Sequence, residues 1–252
     1  MLGFLALSIP ALLRLLLRRG RPGDPVPRGD PPRDPRGISL ALLLFVLYLV
    51  AVGVVVVLLG GKGAPSFGTA LLVDGGAKVA ALVPVLWIVR RRPAAGTPVP
   101  RGRAVAAGLI SGLAFFPVMA GTGLLLQKVH EWTGTPVEAQ HLVDEARTGP
   151  TQRFLLVAAF AILLAPVFEE WLFRGLLQPG LRCFARPWVA ALATAALFAL
   201  LHGQADALPV TFLLGLALAD LRERTGGLTA PIAMHACYNT IQMVGIAAMR
   251  GG

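Results

Sequence analysis

The chain has 252 residues, 56% of them hydrophobic and only 14% charged, with 29 glycines besides. Counting glycine, the apolar share is roughly two thirds, against about 45–50% in a soluble domain, which also carries about 25% charge. No water-soluble fold of this size has the polar shell to cover that much apolar surface. The bilayer is therefore the solvent, which excludes cytosolic enzymes, secreted disulfide scaffolds and disordered tails. A net charge of +10 would suggest nucleic acid in a soluble protein. Here the basic residues fall between apolar runs, where they meet headgroups and set topology, so no nucleic-acid partner is expected.

Taken in chain order, apolar runs long enough for a spanning helix recur almost end to end: Leu2–Leu17, Ile38–Leu59, Phe67–Val89, Ala104–Leu126, Arg153–Gln178, Pro187–Gly203, Asp206–Leu221 and Leu228–Met249. This pattern predicts an all-α, polytopic membrane bundle of about eight helices, with no separate soluble domain. Leu2–Leu17 is short and holds Pro10 and Arg14. Nothing basic precedes it and no small-x-small cleavage site follows, so it reads as an N-out anchor rather than a secretory signal. Arg18–Gly37 is a solvated linker rich in Pro, Arg and Asp. Phe67–Val89 carries Asp74 and Lys78 one helical turn apart, either a pair or the mark of a longer loop. Three regions follow: an anchor and linker over 1–37, generic membrane helices over 38–152, and a polar-bearing block over 153–252.

Scoring the loops alternately, 18–37, 90–103, 179–186 and 222–227 hold 15 of the 23 basic residues. The opposite set holds 5. The positive-inside rule then puts both termini outside. Twenty arginines stand against three lysines, a bias of GC-rich genomes, and the expected location is the plasma membrane of a prokaryote. Cys183 and Cys237 sit in unrelated segments without metal-type spacing and read as uninvolved thiols.

Ionisable residues inside spans are costly and mark function by default. Three clusters qualify. In Glu169-Glu170-Trp171-Leu172-Phe173-Arg174, Glu170 and Arg174 stand at i and i+4, an ion-pair spacing. Glu169 lies about 100° round the helix, without a local cation, and is free to exchange a proton. The second cluster is Phe198-Ala199-Leu200-Leu201-His202. The third is His235-Ala236-Cys237-Tyr238-Asn239, whose His235 and Asn239 share a face that Cys237 leaves. Measured from the inner turns, Glu169 and His202 lie about 18 and 22 Å deep, and His235 and Asn239 about 16 and 22 Å. A capping histidine, headgroup-level charges and an interhelical hydrogen bond would each explain one cluster. Their common level points to one site.

In this order on successive spans, Glu-Glu-x-x-x-Arg, Phe-x-x-x-His and His-x-x-x-Asn resemble the CAAX protease and bacteriocin-processing (CPBP, or Abi) family of intramembrane endopeptidases. The stretch Gly215 to Asn239, with Thr225-Gly226-Gly227-Leu228 and Ile232, resembles that family's last motif block. The resemblance covers roughly Arg153–Met249. It implies a peptide or protein substrate at the bilayer, a water activated by Glu169 and His202, and a carbonyl polarised by His235 and Asn239. Glu170 and Arg174 would brace the site. These roles suit the residue types, since a buried carboxylate can act as general base and an imidazole and amide can form an oxyanion site.

Glu169, His202 and His235 also make a donor set of the kind that holds Zn²⁺ with an open position for water. A glutamate-activated water serves equally without a metal, and the sequence leaves both open. The zincin motif is absent, because His130-Glu131 is followed by Gly134 where a second histidine would stand. The rival reading is a non-enzymatic membrane protein, either a proton-coupled transporter using the same Glu and His groups or an immunity or scaffold protein that retains the fold.

Overall fold

The structure is a computed structural model that describes residues 33–59, 67–91, 98–135 and 146–250. Seven long helices carry the described chain: α1 Gly37–Leu59, α2 Phe67–Arg91, α3 Arg101–Thr133, α4 Thr151–Leu181, α5 Pro187–Leu201, α6 Leu208–Thr225 and α7 Thr229–Met249. No strand occurs among the described residues. Each helix answers to one of the apolar runs from Ile38 onward. The run Leu2–Leu17 and its linker up to residue 32 lie outside the described residues.

α1 to α4 are long and apolar enough to cross a membrane, and α5 is a shorter apolar helix. The protein is an integral membrane protein. α6 and α7 are more polar because they form the inside of the bundle. α6 carries Asp220, Arg222, Glu223 and Arg224 near its end, and α7 carries His235, Asn239 and Gln242. Lipid-facing Leu and Val instead cover α1, where Leu42, Val50, Val57 and Leu58 are exposed while Leu40, Ala41 and Leu44 are buried. The core joins Leu44, Val85, Phe168, Phe173, Phe198, Leu218, Met234 and Tyr238.

Small residues set the closest helix approaches, as packing within a bilayer demands. α3 lies on α7 through Gly108 and Gly112. A Cβ on Gly112 would stand 2.8 Å from Cys237 Cβ, and one on Gly108 would stand 2.7 Å from Ala233 Cβ. α1 enters beside the end of α4, where a Cβ on Gly37 would stand 2.8 Å from the Gly180 nitrogen. The Asp34 N–H donates to Pro179 O at the same junction.

Several boundaries differ from the sequence expectation. α3 runs to Thr133, past Lys128 and Glu131, and stops only at Gly134, whose φ of 69° is left-handed. Asp206 belongs to a 3₁₀ turn, Ala205–Ala207, and not to the span that follows. Gly203, at φ 71°, breaks the chain after α5, and α6 starts with Pro209 in its first turn. Asp74 and Lys78 lie in continuous helix and form an ion pair.

α4 holds a feature that apolar periodicity does not report. Two of its segments, Phe160–Leu164 and Trp171–Leu177, are π-helical. In each, the ladder shifts to i→i−5 bonds, with Ala165 N–H on Phe160 O and Gln178 N–H on Phe173 O. The next donors in that register would be residues 166 and 179. Both are prolines, which have no N–H. Ala161 O and Arg174 O therefore need donors from elsewhere, since buried backbone groups are seldom left unpaired.

Candidate active site

Asn239 and Arg222 meet that need. Asn239 Nδ2 donates to Ala161 O at 2.6 Å, and Arg222 Nε donates to Arg174 O at 2.9 Å. Between the two π segments sits one short α-helical stretch, Ala165–Glu170, which carries both adjacent glutamates. π-bulges occur frequently at functional sites, and here they set the rotation of Glu169 and Glu170 against α6 and α7.

The pair expected from i, i+4 spacing forms. Arg174 Nη1 lies 2.9 Å from Glu170 Oε1, with both side chains fully buried. Arg174 Nη2 donates to Gly215 O at 3.0 Å, and its guanidinium lies over the Phe198 ring, 4.5 Å from the centroid. Glu170 also meets His235, whose Nδ1 is 3.1 Å from the same Oε1. The other face of that imidazole looks to Glu169, with Nε2 at 3.8 Å from Oε2. His235 thus bridges the two carboxylates, a link that no local spacing signals. Glu169 keeps 22% of its side chain accessible, whereas Glu170 has none.

His202 ends α5. Its Nδ1 is 2.7 Å from Phe198 O. A carbonyl only accepts, so Nδ1 carries the proton, and in the neutral ring Nε2 is the basic nitrogen. Phe198 is the ring common to this chemistry. It is fully buried, 4.6 Å from the His202 ring and 5.8 Å from the His235 ring between centroids. The Phe-x-x-x-His spacing singled it out, but its contact with Arg174 comes from the fold.

Glu169, His202, His235 and Asn239 all line one cavity of about 490 Å³. They come from α4, the end of α5, and α7. Leu71, Phe160, Leu214, Met243 and Ile246 supply apolar wall. Asp74 and Lys78 of α2 line it too, and Tyr48 of α1 donates to Asp74 Oδ1 at 2.6 Å. Tyr48 carried no sequence signal, since a tyrosine in an apolar run is ordinary.

Among the described residues, no group of three or more His, Cys, Asp or Glu is arranged to hold a metal ion. One nitrogen of His235 is already spent on Glu170. Cys183 and Cys237 are free thiols, and Cys237 Sγ contacts Leu109 O on α3, away from the cavity wall. His130 serves a different end, with Nε2 2.9 Å from Asp206 Oδ1, tying the end of α3 to the turn after His202.

Residues 151–241 match the Rce1-like family profile, described as type II CAAX prenyl endopeptidase Rce1-like. That range begins with α4 and ends just past Asn239, so it holds every site residue named from the sequence. An Escherichia coli protein, described only as an uncharacterized 24.3 kDa protein, is 34% identical over 96 residues. The alignment covers 36% of this chain and 44% of that relative's length. No solved structure matches the chain. The similarity to the Rce1-like family thus covers residues 151–241, the stretch that contributes Glu169, His202, His235 and Asn239 to the cavity.

Proposed function

We propose that the protein is an intramembrane endopeptidase, acting on a peptide or protein substrate at the plasma membrane of a prokaryote. The observation that carries this reading is the meeting of Glu169, His202, His235 and Asn239 on one cavity wall. Water held between the Glu169 carboxylate and His202 Nε2 attacks the scissile carbonyl carbon, and Glu169 takes its proton. The developing oxyanion is met by the second N–H of the Asn239 amide and, with the His235 ring carrying both its protons between the two carboxylates, by His235 Nε2–H. The proton then passes to the leaving amine, the C–N bond breaks, and an acid and an amine leave the site. Glu170 and Arg174 hold His235 in place and touch no substrate.

The roles of the two glutamates differ because their surroundings differ. Glu170 accepts from Arg174 and His235 and is sealed from the cavity. Glu169 lines the cavity with 22% of its side chain accessible, and no cation as close as Arg174 is to Glu170 neutralises it. A carboxylate in that state is available to water.

The test is cleavage by the purified full chain in proteoliposomes. Glu169→Gln and His202→Ala should each abolish peptide cleavage while melting like the parent. Near-normal turnover in Glu169→Gln would end the assignment. Proton-coupled uptake into vesicles that survives Asn239→Ala, with no cleavage by the parent, would replace the protease with a transporter.

A further inference from the structure

We infer that Arg222 is a positioning residue for the active site, acting through the Arg174 carbonyl to hold the chain Arg174–Glu170–His235 against the cavity. The inference rests on the protease reading of that site and goes beyond it, because Arg222 neither lines the cavity nor enters the proposed hydrolysis. α6 ends in a cluster of charges, Asp220, Arg222, Glu223 and Arg224. Glu223 meets Arg182 at 3.3 Å and Gln178 at 2.9 Å, beside the end of α4. Arg224 pairs with Asp220 at 3.7 Å. Arg222 turns inward instead. It is 5% exposed, and its Nε donates to Arg174 O at 2.9 Å. α6 therefore grips Arg174 at two points, since Arg174 Nη2 donates to Gly215 O at 3.0 Å. Gly215 and Arg222 stand two turns apart on one face of α6. A single contact would let α4 swivel about it. Two contacts spaced along α6 fix the rotation of this turn as well as its height.

Stability alone does not account for Arg222. The Arg174 carbonyl lacks a ladder donor because residue 179 is a proline. An alanine there would supply the N–H, and no arginine would be needed. The chain instead carries the proline and a buried guanidinium whose Nη1 has no hydrogen-bond partner among the described residues. A buried donor left without a partner is costly, and a cation inside a bilayer adds to that cost. What the arrangement supplies is dependence, since the register of Trp171–Leu177 is secured by α6 and not by the ladder of α4 itself. From Arg174 the geometry runs on in short steps to the cavity. Its Nη1 lies 2.9 Å from Glu170 Oε1, the same oxygen lies 3.1 Å from His235 Nδ1, and His235 lines the cavity. Loss of the Arg222 donor frees the Arg174 turn to rotate, and the displacement passes to His235 and to the adjacent Glu169. A shift of about 1 Å in a reacting group can cost about 100-fold in rate.

The experiment uses the full chain in proteoliposomes, with a fluorescent S-prenylated peptide of CAAX type as the probe, at a temperature where every variant is folded. Arg222→Met removes the donor at constant side-chain length. It should lower kcat by about 10–100-fold and leave KM within about twofold. Arg222→Gln puts an amide N–H at the chain position of Nε and should keep kcat near the parent's. Pro179→Ala in the Arg222→Met background should recover most of the lost kcat, because the new N–H reaches the same carbonyl. Val85→Ala, a truncation of a fully buried side chain on α2, lowers the melting temperature without touching α6 and should leave kcat unchanged. A second readout needs no turnover. It is ¹⁵N-histidine NMR, with His235 assigned by its loss in His235→Gln. The His235 Nδ1 resonance should move in Arg222→Met and return in Arg222→Gln or in the double variant. A parent-like kcat and resonance in Arg222→Met, or restoration by neither Arg222→Gln nor Pro179→Ala, overturns the inference. An equal kcat loss in Val85→Ala overturns it as well, by reducing Arg222 to bulk stability. If the parent cleaves nothing while the His235 resonance follows the Arg222 variants as expected, the protease reading fails and the positioning of His235 stands.

Discussion

α1–α3 and α4–α7 meet the same bilayer with opposite interiors. Among the described residues before α4, the buried polar side chains are Asp34 and Ser111. From α4 onward they include Glu170, Arg174, Gln178, Thr194, Asp220, Arg222 and His235. The first region is held mainly by packing, with small residues admitting close backbones and Leu and Val facing lipid, and the Tyr48–Asp74 hydrogen bond joins α1 to α2. In the second, several buried polar groups reach across to another helix. Arg174 reaches Gly215 O, Gln178 reaches Ala219 O and Arg222 reaches Arg174 O. Stability and site geometry are thus one network in α4–α7 and separate matters in α1–α3.

The sharpest way to break the contrast is Arg174→Ala. It leaves Glu170 buried without its cation, and removing one partner of a buried pair costs about 3–5 kcal/mol, a large part of a typical margin of about 5–15 kcal/mol. Expression, melting temperature and activity should all fall. Asn239→Ala comes next and should look different. Loss of one oxyanion donor costs about 10²–10³ in turnover, while Ala161 O left without its donor should lower stability by about 1–3 kcal/mol, less than the broken ion pair. Both are read by measuring melting temperature and turnover on the same purified variants. If Arg174→Ala melts like the parent and Asn239→Ala unfolds, bracing and chemistry are reversed.

A smaller effect tests the proline-ended π segments. Arg222→Met leaves Arg174 O buried and unpaired, at about 1–3 kcal/mol. Pro179→Ala supplies the N–H that the π register lacks at that carbonyl. The double variant Pro179→Ala/Arg222→Met should therefore recover part of the melting temperature lost by Arg222→Met alone. No recovery would show that Arg222 acts through something other than that carbonyl. The smallest effect belongs to the first region. Leu58→Ala, on a lipid-facing side chain 73% exposed, should change stability by less than about 0.5 kcal/mol, with turnover unchanged. A larger loss would mean that α1 has a packing partner on that face.

By itself the sequence determined whatever repeats along one helix. Run lengths gave the all-α membrane bundle and the approximate place of all seven described helices. Spacing gave the Glu170–Arg174 pair, and ordered motifs with a shared depth named Glu169, His202, His235 and Asn239 as one set. Periodicity is local, so it survives without knowledge of neighbours. What it could not reach is rotation and register between helices. Only the tertiary structure placed His235 between both glutamates and turned Asp74 and Lys78 toward the cavity. The two π segments, which shift everything after them on α4, were written as Pro166 and Pro179 but not legible there. A proline in a helix says that one N–H is missing. Which carbonyl loses its donor depends on the ladder register, and which side chain replaces it depends on the helix packed alongside.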